Sequence, residues 1–365
     1  MLYRLILLIF LWPHVGNANP FADYKINPKT FENFQRSLKE LHPQTSVTKI
    51  QALNGESVDL VFHVYLSGGQ DYFVRFFRRK SAPLNRLKIK VTQAMSKIWG
   101  GPEFIASAKD NKSFVTKFIV GRHLALKDFM HNPRILIEFI DKLRGSHAYL
   151  KKHIDKGDVP DYPMAKRTLR RLKEIKDRGV LLPAIEQVEK ILNFIQDLDQ
   201  QQNKQVVHND MRPENILLDA TGNTYLIDWA ELTHGNIYDD LGAFAEFFKL
   251  NTPLEKKVLK RYFNKVPSSD NLALLRIHRW INGLHRAAFK FRKQLESKEN
   301  NPESWKQALN SDNKDLKQAA ENLQVYLNKV DAIEFRNNLE KIGFQTNISI
   351  MERVILWLKT LVKDA

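Results

Sequence analysis

The feature that most constrains this chain is the change from a β-rich first part to a helical remainder. Residues 47–53, 58–66 and 72–77 are rich in apolar, aromatic and β-branched side chains, and short polar turns separate them. Tight turns between such segments join neighbouring antiparallel strands. The sequence therefore predicts a three-stranded antiparallel sheet near the start of the chain.

A helix and a second hairpin are predicted directly after these strands. Residues 84–99 have a helical pattern, and Gly-Gly-Pro at 100–102 is a strong helix stop. Apolar segments at 104–108 and 113–120, with an Asp-Asn turn between them, predict two further strands. Gly121 closes this part of the chain, which we expect to be one β-rich unit with a single helix.

The remainder of the chain is predicted to be mostly helical. Pro133 and Pro183 stand at expected first helical positions, and long apolar-periodic segments follow them. A short β island interrupts the helices, with apolar strands near 206–207, 216–218 and 225–227. A β-rich part followed by helices is typical of the α+β class, and the length of the chain supports two lobes.

The composition is that of a globular protein with a surplus of positive charge. The 365 residues include 57 Lys and Arg against 41 Asp and Glu, a net charge of +16, and they include no Cys. These values exclude a collagen-like repeat, a disordered tail protein and a disulfide-stapled miniprotein. The absence of Cys also excludes a thiol nucleophile and thiolate metal ligands. The charge favours anionic partners through long-range attraction, without selecting among them.

The N-terminus has the pattern of an export signal. An unbroken apolar run at 5–12 follows Arg4, Pro13 ends the run, and residues 16–18 (Gly-Asn-Ala) are the small residues that a signal peptidase reads. The run is too short to span a bilayer. We therefore predict a cleaved signal at 1–18 and a periplasmic or secreted protein. The alternative is an uncleaved hydrophobic helix in a cytoplasmic or membrane-associated protein.

The segment with the most chemistry surrounds the β island. Residues 208–215 read His-Asn-Asp-Met-Arg-Pro-Glu-Asn. Asp210 stands five residues before Asn215, and Asp228 comes thirteen residues after Asn215, at the end of a predicted strand. Mg²⁺ prefers such hard oxygen ligands beside nucleotide phosphates, and a second carboxylate can accept the proton of a hydroxyl group. This group of residues predicts phosphoryl transfer.

With these residues the chain resembles the protein-kinase-like phosphotransferases, and among them the choline kinase and aminoglycoside phosphotransferase branch. The loop 208–215 resembles that branch's catalytic loop. Residues 227–229 (Ile-Asp-Trp) resemble its metal-binding segment, which has Trp where protein kinases have Phe. Asp240 resembles the downstream Asp of these enzymes, and His147 resembles the His at the end of an early helix of the C-lobe.

The resemblance implies both a fold and an activity. The expected fold is α+β and two-lobed, protein-kinase-like, with a small antiparallel β N-lobe at 19–121 and a larger, mainly helical C-lobe at 122–365. The expected cofactors are ATP and Mg²⁺, and the expected partner is a small-molecule alcohol. Because ATP is scarce outside the cytoplasm, an exported kinase would need a compartment with ATP, as a secreted effector has, or a different phosphate donor.

Carried over by position, the resemblance gives each polar residue of the loop a role. Asp210 is expected to orient or deprotonate the acceptor hydroxyl. Asn215 and Asp228 are expected to hold Mg²⁺. His208 is expected to brace the loop through a hydrogen bond. Arg212 is either a residue that neutralises the γ-phosphate or a solvated side chain.

In the N-lobe the resemblance implies a nucleotide site. Arg75 on the third strand matches the place of the ATP-binding Lys of protein kinases, where several choline kinase relatives have Arg, and such a cation steadies the α- and β-phosphates. The turn with Gly55 and Ser57 is the expected phosphate-covering loop. The helix at 84–99 has no acidic residue, and Lys88 stands where the family commonly has the Glu that pairs with the cation. That partner is missing or supplied from elsewhere, so a pseudokinase is an alternative.

The sequence says least about the acceptor. Aromatic residues near the motifs suit a cage for a quaternary ammonium group or, more commonly, the helix core: Trp229, Tyr238, Phe244, Phe247 and Trp280. The acids nearest the loop, which a cationic acceptor would contact, are Asp239, Asp240 and Glu246. The helix at 164–178 carries seven Lys and Arg residues. It fits a solvated face or, alternatively, an anionic membrane surface or effector.

We therefore expect an ATP- and Mg²⁺-dependent phosphotransferase whose acceptor is a choline-like, amino-alcohol or sugar hydroxyl. The alternatives are a pseudokinase or nucleotide-binding module, and a protein kinase or nucleotidyl transferase that acts on polypeptide. A membrane- or nucleic-acid-binding protein of this charge would bind with strong salt dependence and without need of Asp210. We expect no nucleic-acid partner.

Overall fold

The structure is a computed structural model that describes residues 24, 26, 28–41, 43–53, 59–78, 81–98, 100–201, 204–296 and 304–344. The chain divides into two compact units. The first comprises the chain up to Leu124 together with Ala148–Asp158 and Ile216–Ala230, and the second comprises the other segments. The predicted signal at 1–18 and the turn residues Gly55 and Ser57 lie outside the described residues.

Twelve α-helices and ten strands lie within the described residues. The helices are α1 (Pro28–Leu41), α2 (Ala82–Lys97), α3 (Leu126–His131), α4 (Pro133–His153), α5 (Met164–Lys176), α6 (Ile185–Gln201), α7 (Ile237–Phe247), α8 (Thr252–Phe263), α9 (Ser269–Leu295), α10 (Trp305–Leu309), α11 (Lys314–Asn328) and α12 (Ile333–Lys341). The strands are β1 (Val47–Ala52), β2 (Leu60–Leu66), β3 (Asp71–Phe76), β4 (Phe104–Ser107), β5 (Ser113–Lys117), β6 (Gly121–His123), β7 (Gln205–Val207), β8 (Ile216–Asp219), β9 (Thr224–Leu226) and β10 (Thr233–Gly235). No helix of the described residues is long and apolar enough to span a bilayer.

The first unit contains a five-stranded antiparallel sheet. The strand order is β1-β2-β3-β5-β4, and β1, β2 and β3 pair as consecutive hairpins. Phe62, Val64 and Val74 are fully buried, as expected for alternate residues on the covered face of a strand. The five strands predicted from the first part of the sequence are confirmed.

Two helices accompany this sheet. Helix α1 was not predicted from the sequence; its Phe34 and Leu38 are buried in the same apolar cluster as Phe76 of β3. The rings of Phe34 and Phe76 lie 5.5 Å apart, edge to face. Helix α2 is the predicted helix, and its Pro83 lies in the first turn, where the missing N–H costs nothing.

A small three-stranded sheet, in the order β6-β8-β9, completes the first unit. Gly121 of β6 lies so close to β8 that an added Cβ would stand 2.6 Å from the carbonyl oxygen of Leu218. Only glycine allows this approach without a clash. β9 ends two residues before Asp228, so the sheet fixes the start of the predicted metal-binding segment.

Helix α9 is the centre of the second unit. It has 27 residues and packs against α5, α7, α11 and α12. Its Ile281 and Phe291 are fully buried in one apolar cluster with Leu172, Ile191 and Leu323. Short strands β7 and β10 pair within this unit, and β7 leads into the loop 208–215. The predicted helical character of the later part of the chain is confirmed.

The close packing of α7 on α9 can be tested at Gly242. A Cβ on Gly242 would lie 2.6 Å from both the backbone N of Arg279 and the carbonyl carbon of His278. Because backbone atoms cannot rotate away, we expect Gly242→Ala to lower the free energy of unfolding by roughly 1–3 kcal/mol. Chemical denaturation of the full-length protein measures this change.

The control is a helical glycine in open space. At Gly145 of α4 an added Cβ meets nothing within 4 Å. We expect Gly145→Ala to raise the free energy of unfolding by roughly 0.5–1 kcal/mol, because alanine is the better helix former. Equal effects of the two substitutions would contradict the close approach of α7 and α9.

Candidate active site

The backbone of the loop 208–215 is held by one buried carboxylate in the second unit. Asp240 Oδ2 accepts a hydrogen bond from the backbone N of His208 at 2.8 Å, and Oδ1 accepts one from the backbone N of Asn209 at 2.6 Å. The Nε2 of His147 lies 2.9 Å from the same Oδ2. Burial works to raise the pKa of Asp240, but the hydrogen bond with His147, aided by His208 and Asn209, brings it below the ordinary value. Asp240 therefore stays charged and fixes the start of the loop.

Inside this loop the carboxylate of Asp210 contacts the side chains of Asn215 and Arg212. The Nδ2 of Asn215 donates to Asp210 Oδ2 at 2.7 Å, and Arg212 Nε lies 3.1 Å from the same oxygen. The backbone N of Asp210 donates to His208 Nδ1 at 3.2 Å. About a quarter of the Asp210 side chain is exposed. The loop thus presents a fixed and accessible carboxylate.

Asn215 has the orientation that a metal ligand needs. Its Nδ2 also donates to the carbonyl oxygen of Asp210 at 2.9 Å, so both hydrogens of the amide are used within the loop. The Oδ1 of Asn215 accepts no hydrogen bond from a described residue. An amide oxygen of this kind, on a residue that is only 4% exposed, is a hard ligand that suits Mg²⁺. Residue type and orientation therefore fit the predicted metal ligand.

In the first unit, Arg75 and Asp228 form an ion pair. Arg75 Nη1 lies 2.7 Å from Asp228 Oδ1, and Arg75 is 6% exposed. Burial alone would lower the pKa of Arg75, but the charge of Asp228 and the hydrogen bond to it raise that pKa above the ordinary value. Arg75 Nε is buried and makes no hydrogen bond to a described residue. Asp228 has a positive φ of 61°, which is uncommon for a residue other than glycine.

The ion pair gives Arg75 a carboxylate partner, which helix α2 does not supply. Helix α2 contains no Asp or Glu, and Arg75 finds its carboxylate in Asp228 instead. Lys88, which stands near the expected acidic position, is buried with its Nζ 5.7 Å from the ring centroid of Phe77. The predicted phosphate-binding cation and the predicted metal ligand are thus each other's partners.

The aromatic residues considered for an ammonium cage are mostly core residues. Trp229, Tyr238, Phe244 and Trp280 are all buried. Phe247 is half-buried, and the guanidinium carbon of Arg286 lies 4.8 Å from its ring centroid. The core role, which is the more common one for aromatic residues at such spacing, holds for these four.

The acids considered for a cationic acceptor are buried and paired. Asp240 binds the loop backbone, and Glu246 Oε2 lies 3.1 Å from Arg279 Nε. Asp239 Oδ1 lies 2.9 Å from His278 Nδ1. Their charges are compensated inside the protein, so the expectation that they would contact a cationic acceptor is wrong.

A buried polar group in the second unit was not expected from the sequence. Asp199 of α6, Asp239 of α7 and His278 of α9 are fully buried, with side-chain atoms within 4.8 Å of one another. Burial raises the pKa of Asp199 to about 6. Burial works to lower the pKa of His278, but Asp199 and Asp239 bring it above the ordinary value. These residues belong to three separate helices, so no local pattern could have joined them.

The buried group predicts a pH-dependent contribution to stability. We expect His278→Ala to destabilise the fold by roughly 3–5 kcal/mol near neutral pH, because it leaves two buried carboxylates without their cation. A His with a raised pKa stabilises fully below its ordinary value of 6.5, and this contribution is lost as the pH rises through the folded-state pKa. The difference in unfolding free energy between wild type and variant should therefore narrow as the pH rises above 7.

Denaturation of both proteins at several pH values measures this difference. His131→Ala, at an exposed position of α3, is the control and should change stability by less than about 0.5 kcal/mol. A difference that stays constant from pH 7 to pH 9 would contradict a protonated His278.

Several solved structures share this fold. A choline/ethanolamine kinase family protein from Mesorhizobium loti is similar over 80% of this chain and 92% of its own, with 17% identity and a TM-score of 0.58. Choline kinase LicA from Streptococcus pneumoniae is similar over 82% of this chain and 98% of its own, with 15% identity and a TM-score of 0.56. A spectinomycin phosphotransferase in complex with ADP and spectinomycin is similar over 82% of this chain and 98% of its own, with 12% identity and a TM-score of 0.51. The predicted α+β, protein-kinase-like fold is therefore confirmed.

The family follows from the sequence match. The model of the phosphotransferase enzyme family matches residues 49–273, which is more than half of the chain. This chain belongs to the phosphotransferase enzyme family, as its loop 208–215 predicted. No curated protein matches it. Membership supports phosphotransferase activity in general.

Proposed function

We propose that this protein is an ATP- and Mg²⁺-dependent enzyme that transfers the γ-phosphate to the hydroxyl group of a small molecule. The observation that carries the proposal is the loop 208–215, in which Asp240 fixes the backbone while Asn215 and Arg212 contact the carboxylate of Asp210. The ADP bound to the spectinomycin phosphotransferase supports a nucleotide as donor.

Asp210 is the residue that we assign to the acceptor. Its carboxylate is partly exposed, which gives a hydroxyl group access. As the hydroxyl oxygen forms its bond to the γ-phosphorus, Asp210 orients the hydroxyl and accepts its proton, and the bond to the β-phosphate oxygen breaks. His208 uses Nδ1 to accept a backbone hydrogen bond, so its role is to hold the loop.

Four residues are proposed to bind the metal and the phosphates. Asn215 and Asp228 are the Mg²⁺ ligands, an assignment that rests on the sequence motif and on the orientation of the Asn215 amide. Bound Mg²⁺ supplies positive charge that offsets the charge of the phosphates. Arg75, with its buried Nε, would bind the α- and β-phosphates, and Arg212 the γ-phosphate.

A second candidate is a nucleotide-binding module without transfer. The ion pair between Arg75 and Asp228 favours it, because this contact joins two groups that an active enzyme would use for different ligands. Helix α2 has no acid to which Arg75 could turn when Asp228 binds a metal. A protein of this second kind would bind ATP with an affinity that does not depend on Mg²⁺, and it would transfer no phosphate.

The first experiment measures binding. We expect Mg·ATP to raise the melting temperature of the full-length protein, because a ligand that binds only the native state stabilises it by roughly 2.7 kcal/mol at a hundred times its Kd. Asp228→Asn should abolish the Mg²⁺-dependent part of the shift. Asn tolerates the positive φ of Asp228 and can still accept from Arg75, so only the charge is lost. Asp197→Asn, an exposed carboxylate of α6, is the control.

The second experiment measures transfer from labelled ATP to alcohols. We expect Asp210→Asn to lower kcat by about 10²–10⁴-fold, the range of general base catalysis, while the Mg·ATP shift persists. Equal rates for wild type and Asp210→Asn would contradict the role of Asp210. A Mg·ATP shift without any turnover would leave the second candidate.

We also propose, from residues 1–18 alone, that the chain is exported after cleavage behind Ala18. N-terminal sequencing of protein recovered from intact cells and from the exported fraction checks this proposal. A mature chain that still begins at Met1 in both fractions would overturn it.

A further inference from the structure

A group of cations surrounds Tyr162 in the second unit. We call it the α5 cluster, and it consists of Tyr162, Lys166, Arg167, Arg170 and Arg171. The guanidinium carbons of Arg170 and Arg167 lie 5.0 and 5.4 Å from the ring centroid of Tyr162, and the Nζ of Lys166 lies 5.7 Å from it. Three positive charges thus share one aromatic ring, where each repels the others.

These cations have few carboxylate partners. Glu174, the single acid of α5, is shared by three guanidinium groups: Arg170 Nε at 3.4 Å, Arg171 Nη1 at 3.7 Å and Arg292 Nε of α9 at 3.3 Å. Lys166 has no carboxylate within 4 Å among the residues that the structure describes. The local charge is therefore positive and only partly compensated.

Several polar atoms of the same place are buried without a hydrogen bond. The hydroxyl of Tyr162, the Nε of Arg171 and the Nδ1 of His285 make no hydrogen bond to a described residue. Burial, together with Arg171, Arg167 and Arg170, lowers the pKa of His285 to about 3, so its ring is neutral. The Tyr162 hydroxyl and the Arg171 Nε are buried donors without acceptors, which costs free energy. An anion beside them would satisfy donors and balance charge at once.

The α5 cluster is joined to the catalytic loop within the second unit. The guanidinium of Arg167 donates to Glu231 Oε2 at 2.7 Å and to the carbonyl oxygen of Glu231 at 3.4 Å. The Nδ2 of Asn209, the residue before Asp210, donates to that same carbonyl oxygen at 3.4 Å. One backbone oxygen thus links the cations to the loop that presents Asp210.

We propose that the α5 cluster binds the anionic group of the acceptor, which is therefore a small alcohol that also carries a phosphate or a carboxylate. This inference rests on the proposed function, since it names the acceptor class of that reaction. Lys166 and Arg170 are exposed and supply the charge, and a guanidinium fork matches an anion with two oxygens. Arg167, engaged by Glu231, positions the cluster. A choline-like cation would be repelled.

Binding without nucleotide is the first test. Glucose 6-phosphate and glycerate are the anionic probes, and glucose, glycerol and choline are the comparison compounds, all titrated into the full-length protein at one ionic strength. We expect the double variant Lys166→Gln/Arg170→Gln to raise the Kd of the bound anionic probe at least tenfold. Lys173→Gln/Lys176→Gln, the same loss of charge at exposed positions of the same helix, should change it less than twofold.

The Tyr162 hydroxyl gives a second variant that leaves every charge in place. We expect Tyr162→Phe to keep or raise the melting temperature of the free protein, because it removes a buried group without a hydrogen bond. The rise in melting temperature caused by the anionic probe should become smaller. If the anionic probe raises the melting temperature of Tyr162→Phe and of Lys166→Gln/Arg170→Gln as much as that of the wild type, the inference is wrong.

Kinetics separate this inference from the proposed function. With the anionic alcohol as acceptor and saturating Mg·ATP, the Lys166→Gln/Arg170→Gln variant should raise KM about tenfold and leave kcat within about twofold. Transfer to choline but to neither anionic probe would overturn the inference and keep the kinase proposal. Anion binding to the cluster without any Mg·ATP response would overturn the proposed function and the acceptor role with it.

A membrane surface is the competing occupant of this helix. If Lys166→Gln/Arg170→Gln and Lys173→Gln/Lys176→Gln weaken binding to phosphatidylserine vesicles equally, and neither changes binding of the anionic probes, the inference is wrong. Loss of probe binding in the first variant alone supports it. Comparing the affinities for glucose 6-phosphate and glycerate then shows whether the cluster prefers a phosphate or a carboxylate.

Discussion

The second unit depends on the buried carboxylate of Asp240. A fully buried charge is costly unless hydrogen bonds compensate it, and here the compensation comes from the backbone of the loop 208–215 and from His147. His147 in turn lies 2.7 Å from the hydroxyl of Tyr262, so α4, α7, α8 and the loop meet at one point. These contacts fix the backbone at His208 and Asn209, and the proposed transfer would need such a preorganised loop.

Helix α7 connects the loop 208–215 to helix α9. Asp239 and Asp240 are neighbours in sequence, yet one contacts His278 of α9 and the other contacts the loop. Gly242 then allows α7 to approach the backbone of α9. Helix α9, the longest helix of the described residues, therefore supports the loop through α7, whose first turn contains two buried acids.

The strands and the contacts within the loop 208–215 could be predicted because their signals are local. Alternating and β-branched residues mark the five-stranded sheet, and the spacing of Asp210 and Asn215 marks the loop. Helix α1 was missed although Phe34 and Leu38 stand at helical spacing. The ion pair of Arg75 with Asp228 joins residues 153 positions apart, and only the folded chain brings such residues together. The same reason explains why the buried group around His278 left no pattern in the sequence.

The distribution of charge follows from the same constraints. The acids nearest the loop in sequence are buried inside the second unit. Each of them has a hydrogen-bond or ion-pair partner there, because an unpaired buried charge is costly. The cations of α5 include Lys166 and Arg170, which are exposed and incompletely paired. Charges within about 8 Å interact with little screening at physiological ionic strength. The α5 side of this unit therefore carries a positive field, whereas the acids nearest the loop in sequence are compensated in the interior.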